Sequence, residues 1–319
     1  MAPIIYDFER PITDIEEELA LLESKAMATG TDFSSEIVKL KEKRDKLIID
    51  VHSKLSRWQK VLLARHPDRP YALDYIEMIC ENFIELHGDR QYADDSVMVT
   101  GLAEIDGQNM IIVAHQKGRG TRENIKRNFG MSNPEGYRKA LRVMKLGEKF
   151  KIPIVSLVDT PGAFPGLGAE ERGQAEAIAK NLLEMSKLKV PILVIIIGEG
   201  ASGGALGIGI GDRILMMQNT WYSVISPEGC ASILYRDSSK AEEAAEALKP
   251  TPEDLLEIGI IDGIIKEPNG GAHRDKESAG KALKESILTN IKELQKLPVN
   301  ILIENRVTKY STMGAWIEN

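Results

Sequence analysis

Apolar residues fall in three kinds of pattern along this chain, and the order of the patterns outlines a fold. The longest unbroken run is Val190-Pro191-Ile192-Leu193-Val194-Ile195-Ile196-Ile197. Its length and β-branched content predict a strand buried on both faces of a parallel sheet. It breaks into Gly198-Glu199-Gly200-Ala201-Ser202-Gly203-Gly204, and the small and apolar residues from Ala205 to Ile210 suit a buried helix. Upstream, Ile152 to Thr160 reads as a second buried strand. It enters Pro161-Gly162-Ala163-Phe164-Pro165-Gly166, and a helix pattern runs from Gln174 to Lys187. The order strand, glycine loop, helix, strand, glycine loop, helix is a βαβα unit. Its right-handed crossover brings both loops to the carboxyl edge of one sheet.

Helical spacing governs the start of the chain. Ile15, Leu19 and Leu22, then Leu40, Leu47, Val51 and Leu55, recur on helical faces, with Thr29-Gly30-Thr31-Asp32 as the break between them. This predicts a helical hairpin over residues 1–70 that packs on a domain or a partner, closed by His66-Pro67-Asp68-Arg69-Pro70. Residues 71–297 then form the main domain. Tyr71 to Leu86 reads as an amphipathic helix, and Val97–Ile105 and Met110–His115 as strands of a hairpin turned by Asp106-Gly107. Asn133-Pro134 opens a helix to Phe150, and Ser226-Pro227 opens another, with proline in its first turn. Short strands are expected at Arg213–Met217, Trp221–Ile225 and Ile260–Ile265. Helices are expected at Lys240–Leu248, at Thr251–Glu257 capped by Gly259, and at Lys276–Leu297. The tail, 298–319, shows no core pattern. No internal repeat is present.

Composition narrows the functional classes. The net charge of -7 argues against a broad nucleic-acid surface. The two cysteines, Cys80 and Cys230, form no Cys-x-x-Cys pair, so this chain builds no zinc ribbon. The five histidines show no metal-ligand spacing and read as surface or hydrogen-bonding residues. The N-terminus lacks the pattern of a signal peptide, and no apolar run approaches the roughly 18 residues needed to span a bilayer. A cytoplasmic location is expected.

Candidate chemistry concentrates at the two glycine loops. Each places free backbone N–H groups where negative charge can be held, and two such loops facing one cleft make an oxyanion hole. The one basic cluster follows the hairpin: Lys117, Arg119, Arg122, Lys126 and Arg127. In an acidic protein it points to a polyanionic ligand such as a phosphate-bearing cofactor, or equally to a solvated loop or a site for a partner's acidic surface. Gly200-Ala201-Ser202-Gly203-Gly204 also satisfies the G-x-S-x-G elbow of a serine hydrolase, with Asp262 and His273 following in triad order. A hydratase reading would need a carboxylate beside the hole, and Glu199 is the nearest in sequence; its alternative role is a cap or salt-bridge partner.

Several of these stretches, taken together and in order, resemble one family. They are Gln116-Lys117-Gly118-Arg119, Asp159-Thr160-Pro161-Gly162-Ala163-Phe164-Pro165-Gly166, Glu170-Glu171-Arg172-Gly173-Gln174, Gly198 to Ala205, and Ser223-Val224-Ile225-Ser226-Pro227-Glu228-Gly229. The chain is similar over nearly its whole length to the α subunits of the bacterial acetyl-CoA carboxylase carboxyltransferase. The resemblance implies an α/β, crotonase-like fold of stacked ββα units with an N-terminal helical extension. It implies transfer of a carboxyl group from carboxybiotin, borne on a biotin carboxyl carrier protein, to acetyl-CoA, giving malonyl-CoA for fatty acid synthesis. A β subunit of the same fold, carrying a zinc ribbon, would complete the site in an α2β2 assembly that works with biotin carboxylase. The resemblance further implies that Gly203 and Gly204 form one arm of the hole for the biotin enolate, and Gly162 and Ala163 the other. The proton would pass to that enolate, so no side-chain base is required. Lys117, Arg119 and Arg122 are the expected contacts to the CoA phosphates.

Overall fold

The computed structural model describes residues 4–314. The N-terminal region is helical: α1 (Arg10–Thr29), α2 (Ser34–His52) and α3 (Arg57–Ala64). Gly30 ends α1 at φ 68°, a left-handed cap suited to glycine. Ser56 starts α3 with a capping box closed by Gln59. Next come α4 (Ala72–Ile79), β1 (Asn82–Glu85), β2 (Met98–Ile105), β3 (Gln108–His115), α5 (Gly120–Lys126) and α6 (Pro134–Phe150). The central unit is β4 (Ile154–Thr160), α7 (Leu167–Glu171), α8 (Gln174–Met185), β5 (Ile192–Ala201) and α9 (Ser202–Leu206). It continues through β6 (Arg213–Met217), β7 (Trp221–Ser223), α10 (Pro227–Leu234), α11 (Ala241–Leu248), α12 (Pro252–Glu257) and β8 (Gly263–Ile265). Two helices close the chain, α13 (Lys276–Leu294) and α14 (Val299–Ser311).

All eight strands form one sheet in the order β1-β2-β3-β4-β5-β6-β8, with β7 paired to the end of β5. β1, β2 and β3 are antiparallel, and every later pairing is parallel. Asp106 and Gly107 turn the β2–β3 hairpin, both at positive φ, as a two-residue turn of that twist requires. Alternate residues of β5 feed opposite cores. Leu193, Ile195 and Ile197 pack toward α4 and α13, while Ile192, Val194 and Ile196 pack toward α6 and α8. Helices therefore cover both faces of the sheet, and β5 is buried along its whole length.

The N-terminal hairpin gains a third helix, α3, the basic stretch after β3 forms α5, and three further segments differ from the sequence reading. The helix expected to reach Leu86 stops at Ile79, and Asn82–Glu85 pairs with β2 as an edge strand. Its half-exposed alternation, written in only four residues, is too short a pattern to read. β5 does not break at Gly198 but runs to Ala201. Gly198 is glycine because a Cβ there would lie 2.3 Å from Asp159 Oδ1. The segment after Pro298 is not patternless, for it forms α14 and buries Leu302 and Arg306. Arg306 donates to Asp212 at 2.8 Å and to the carbonyls of Met185, Leu188 and Val190 at 2.8–2.9 Å. A polar side chain anchors this helix, so an apolar stripe does not reveal it. Residues 315–319 of the tail lie outside the described residues.

Candidate active site

β4 and β5 are parallel neighbours, so their carboxyl ends deliver the two glycine loops to the same edge. The loops touch through backbone. A Cβ built on Gly204 would sit 2.4 Å from the Gly162 carbonyl carbon and 2.6 Å from the Ala163 nitrogen. The amides of Ser202, Gly203 and Gly204 occupy the first turn of α9, where a helix leaves N–H groups unpaired. The Ala163 N–H carries no hydrogen bond among the described residues. Gly162 differs: its N–H donates to Thr160 Oγ1 at 3.1 Å. Its expected role as a donor is corrected on that ground, and Ala163 is left as the open amide of the upstream loop. Gln174 fixes that loop by donating to the carbonyls of Ser132 and Phe164, each at 2.9 Å. Ser202 sits at φ 55°, a left-handed elbow between strand and helix.

Behind the loops runs a chain of buried charge. Lys117 Nζ lies 2.6 Å from Asp159 Oδ1 and 2.6 Å from Glu199 Oε1. Arg65, at the end of α3, donates to the other Glu199 oxygen at 2.6 Å and reaches Glu228 of α10 at 2.5 Å. Asp159 also accepts from the Glu199 backbone N–H at 2.9 Å. Burial pushes the Glu199 carboxyl up, but Lys117 and Arg65 outweigh it and hold the group down at about 2. Burial disfavours the Lys117 charge, yet Asp159 and Glu199 overcome this and keep its pKa above the usual value. This network ties β3, β4, β5, α3 and α10 together beneath the glycine amides.

The predicted phosphate contacts separate in the structure. Lys117 is committed to two carboxylates and is not a free cation, so its assignment to a CoA phosphate is withdrawn. Arg119 is bonded to Asp74 at 2.6 Å and stacks over Tyr71 with its guanidinium carbon 4.4 Å from the ring centre. Arg122 is exposed, with no ion pair among the described residues. Glu199 is a salt-bridge partner rather than a free acid. Nor does a catalytic triad form. His273 faces Glu9, and Asp262 accepts from the Ile214 N–H at 2.6 Å and pairs with Lys309. Arg65 and Glu228 escaped the sequence reading because their partners lie far away in the chain.

A cleft of about 450 Å³ opens beside the amides, lined by Ser202, Gly203, Leu206, Val224, Leu255 and Ile260 among others. Its far walls are apolar, and its polar end is the first turn of α9. Amides of a helix first turn at the end of an apolar cleft suit a developing oxyanion in a shielded setting.

Comparison with known proteins identifies the site's lineage. A family model described as acetyl co-enzyme A carboxylase carboxyltransferase-like matches residues 5–314. The acetyl-coenzyme A carboxylase carboxyl transferase subunit alpha of Chlorobium luteolum is 53% identical, with 98% of each chain covered. This chain belongs to that family. The homologous α subunit of Geobacter metallireducens is likewise 53% identical over 98% of both chains, and that of Xanthomonas axonopodis pv. citri is 51% identical over 99% of both. Solved carboxyltransferases share the crotonase-like fold. The transcarboxylase 12S structure with methylmalonyl-coenzyme A aligns with a TM-score of 0.53 and 23% identity, covering 68% of this chain and 42% of that one. The β subunit of Pseudomonas aeruginosa geranyl-CoA carboxylase aligns with a TM-score of 0.54 and 18% identity, covering 73% and 49%. The serine-hydrolase alternative finds no support in these relatives or in the geometry around Ser202. Among the described residues, no helix is long and apolar enough to cross a membrane.

Proposed function

We propose that this chain is the α half of an acetyl-CoA carboxylase carboxyltransferase and moves a carboxyl group from carboxybiotin to acetyl-CoA. The observation that carries the reading is the junction of the two glycine loops, with the first turn of α9 at Ser202 and Gly203 lining a mostly apolar cleft. Its apolar walls suit the hydrocarbon and thioether part of a biotin bicycle, with the ureido carbonyl toward the polar end at Ser202 and Gly203. Carboxybiotin, when bound, supplies the carboxyl group. The chain's amides stabilise negative charge at the ureido oxygen without adding a titrating group. Leu206, Leu255 and Ile260 line the cleft with apolar surface, which strengthens those hydrogen bonds once it is covered. The Lys117–Glu199–Arg65 network holds the end of β5, and so the amides that follow it, in fixed geometry.

The acyl-CoA side is assigned to a β subunit that carries the zinc ribbon, within an α2β2 assembly served by the biotin carboxyl carrier protein and biotin carboxylase. Exposed apolar residues support a covering partner: Val224 at the cleft is 78% exposed, and Ile233 and Leu234 of α10 are 70% and 63% exposed. Arg122 remains a candidate for a CoA phosphate. The test is Leu206→Trp in the α–β complex, assayed by biocytin-dependent decarboxylation of malonyl-CoA. Filling the cleft should raise the KM for biocytin and leave the KM for malonyl-CoA unchanged. A rise in the malonyl-CoA KM alone would assign the cleft to the other substrate.

A further inference from the structure

Among the residues that line the cleft beside the glycine loops, Tyr222 is the one aromatic. It lies on β7, whose parallel pairing with β5 sets it opposite Gly200. Its backbone N–H donates to the Pro250 carbonyl at 3.0 Å. A Cβ built on Gly200 would come within 2.9 Å of Tyr222 Cδ2 and 3.3 Å of Ile196 Cγ2. The ring therefore lies against a stretch of β5 that only glycine leaves bare. It packs on the core that holds Ile196 and Ala205, beside Ile260 and Tyr310. Strand pairing and this packing together give the ring a fixed place in the cleft wall, close to Ser202 and Gly203.

Three other tyrosines satisfy their hydroxyls within the chain. Tyr6 Oη donates to the Leu62 carbonyl at 2.9 Å, Tyr75 Oη donates to Met217 Sδ at 3.3 Å, and Tyr310 Oη accepts from the Gly211 N–H at 2.8 Å. Tyr222 Oη makes no hydrogen bond among the described residues. Burial alone, with no bonded or charged neighbour, pushes its pKa up to about 12. The phenol thus stays protonated at neutral pH, with one donor and one acceptor to offer. A desolvated hydroxyl without a partner costs stability, and phenylalanine would fill the same volume without that penalty. The other hydroxyls of the lining, on Ser202 and Ser223, belong to short side chains, and Ser202 is exposed to water. A few placed polar groups in an apolar cleft are what fix a ligand's orientation. We propose that Tyr222 Oη is a substrate contact of this cleft, hydrogen-bonded to the ureido head of the biotin group while the first turn of α9 faces the ureido oxygen. This rests on the carboxyltransferase reading of the cleft. Tyr222 makes and breaks no covalent bond; it binds the bicycle and sets its angle to the amides.

The test is Tyr222→Phe in the α–β complex, which keeps the ring and removes only the hydroxyl. In biocytin-dependent decarboxylation of malonyl-CoA, the KM for biocytin should rise about tenfold, the effect of one hydrogen bond made alike in ground and transition states. The kcat and the KM for malonyl-CoA should not change. In urea titration of the full-length chain, the variant should be as stable as the parent or more so, because an unpaired hydroxyl has been removed. A lowered urea midpoint with a fall in activity at constant KM would mark the hydroxyl as structural and overturn the proposal. An unchanged KM for biocytin would overturn it too, and would leave the carboxyltransferase reading standing. No biocytin-dependent turnover in the wild-type complex would strike that reading itself. A rise in the malonyl-CoA KM alone would give the cleft to the other substrate and overturn the assignment of Tyr222 to biotin.

Discussion

Alanine at Gly203 and at Gly204 is the same chemical change one residue apart, with opposite expected outcomes. At Gly204 the added carbon would lie 2.4 Å from the Gly162 carbonyl carbon, 2.6 Å from the Ala163 nitrogen and 2.8 Å from the Gly162 Cα. All three are backbone atoms, which no rotamer change can move aside. Carbon atoms pack comfortably at about 3.5–4.0 Å, so the upstream loop must retreat by about an ångström. A shift of that size in a catalytic constellation costs about 10²-fold in rate, or about 2.7 kcal/mol of transition-state stabilisation. The overpacking itself costs about 1–3 kcal/mol of fold stability. At Gly203 the nearest atom is Ile178 Cδ1 at 3.4 Å, the tip of a movable side chain. Gly203→Ala should therefore keep most of its activity. The assay is steady-state decarboxylation of malonyl-CoA with biocytin in the α–β complex, with circular dichroism to confirm folding. Equal losses in the two variants, or full activity in Gly204→Ala, would refute the argument that contact between the loops builds the site.

Other outcomes follow from single residues. Ser202→Ala should keep substantial activity, and Ser202→Gly should stabilise the chain by about 1 kcal/mol in urea titration by relieving the left-handed φ of 55°. Abolished activity in Ser202→Ala would restore a nucleophilic role. Lys117→Met leaves Asp159 and Glu199 facing each other without their shared cation, and should cost about 3–5 kcal/mol in urea titration. Adding Glu199→Gln should recover part of that loss. His115 is fully buried with neither ring nitrogen partnered among the described residues, and burial, aided by Lys117, pushes it down to about 3 from 6.5. The unfolded chain then binds the extra proton, so this group leaves stability flat above pH 6.5 and lowers it between pH 6.5 and 3. The slope is about 1.4 kcal/mol per pH unit. His115→Gln should flatten the urea midpoint between pH 5 and 7, and an unchanged slope would contradict the assignment.

Much of the site was legible because its signals are local. The β-branched runs, the Asp106-Gly107 turn and the two glycine loops each state their geometry within about ten residues. What stayed hidden depends on pairs distant in sequence. Lys117 reads as a member of a basic loop, and only the fold sets it between Asp159 and Glu199. Glycines 198 and 200 read as a break, yet they are strand residues whose missing side chains make room for Asp159 and for Tyr222. The α14 helix is held by Arg306, a charged residue in a buried position, which inverts the usual pattern of apolar anchoring.

The central claim is that this chain holds half of a shared carboxyltransferase site. Its most direct test is malonyl-CoA decarboxylation dependent on biocytin, measured with this chain alone, with the proposed β subunit alone, and with the two mixed. The account predicts activity only in the mixture, saturating as the α to β ratio approaches one. Turnover by this chain alone, or an inactive mixture in which a stable complex has been demonstrated, would contradict it.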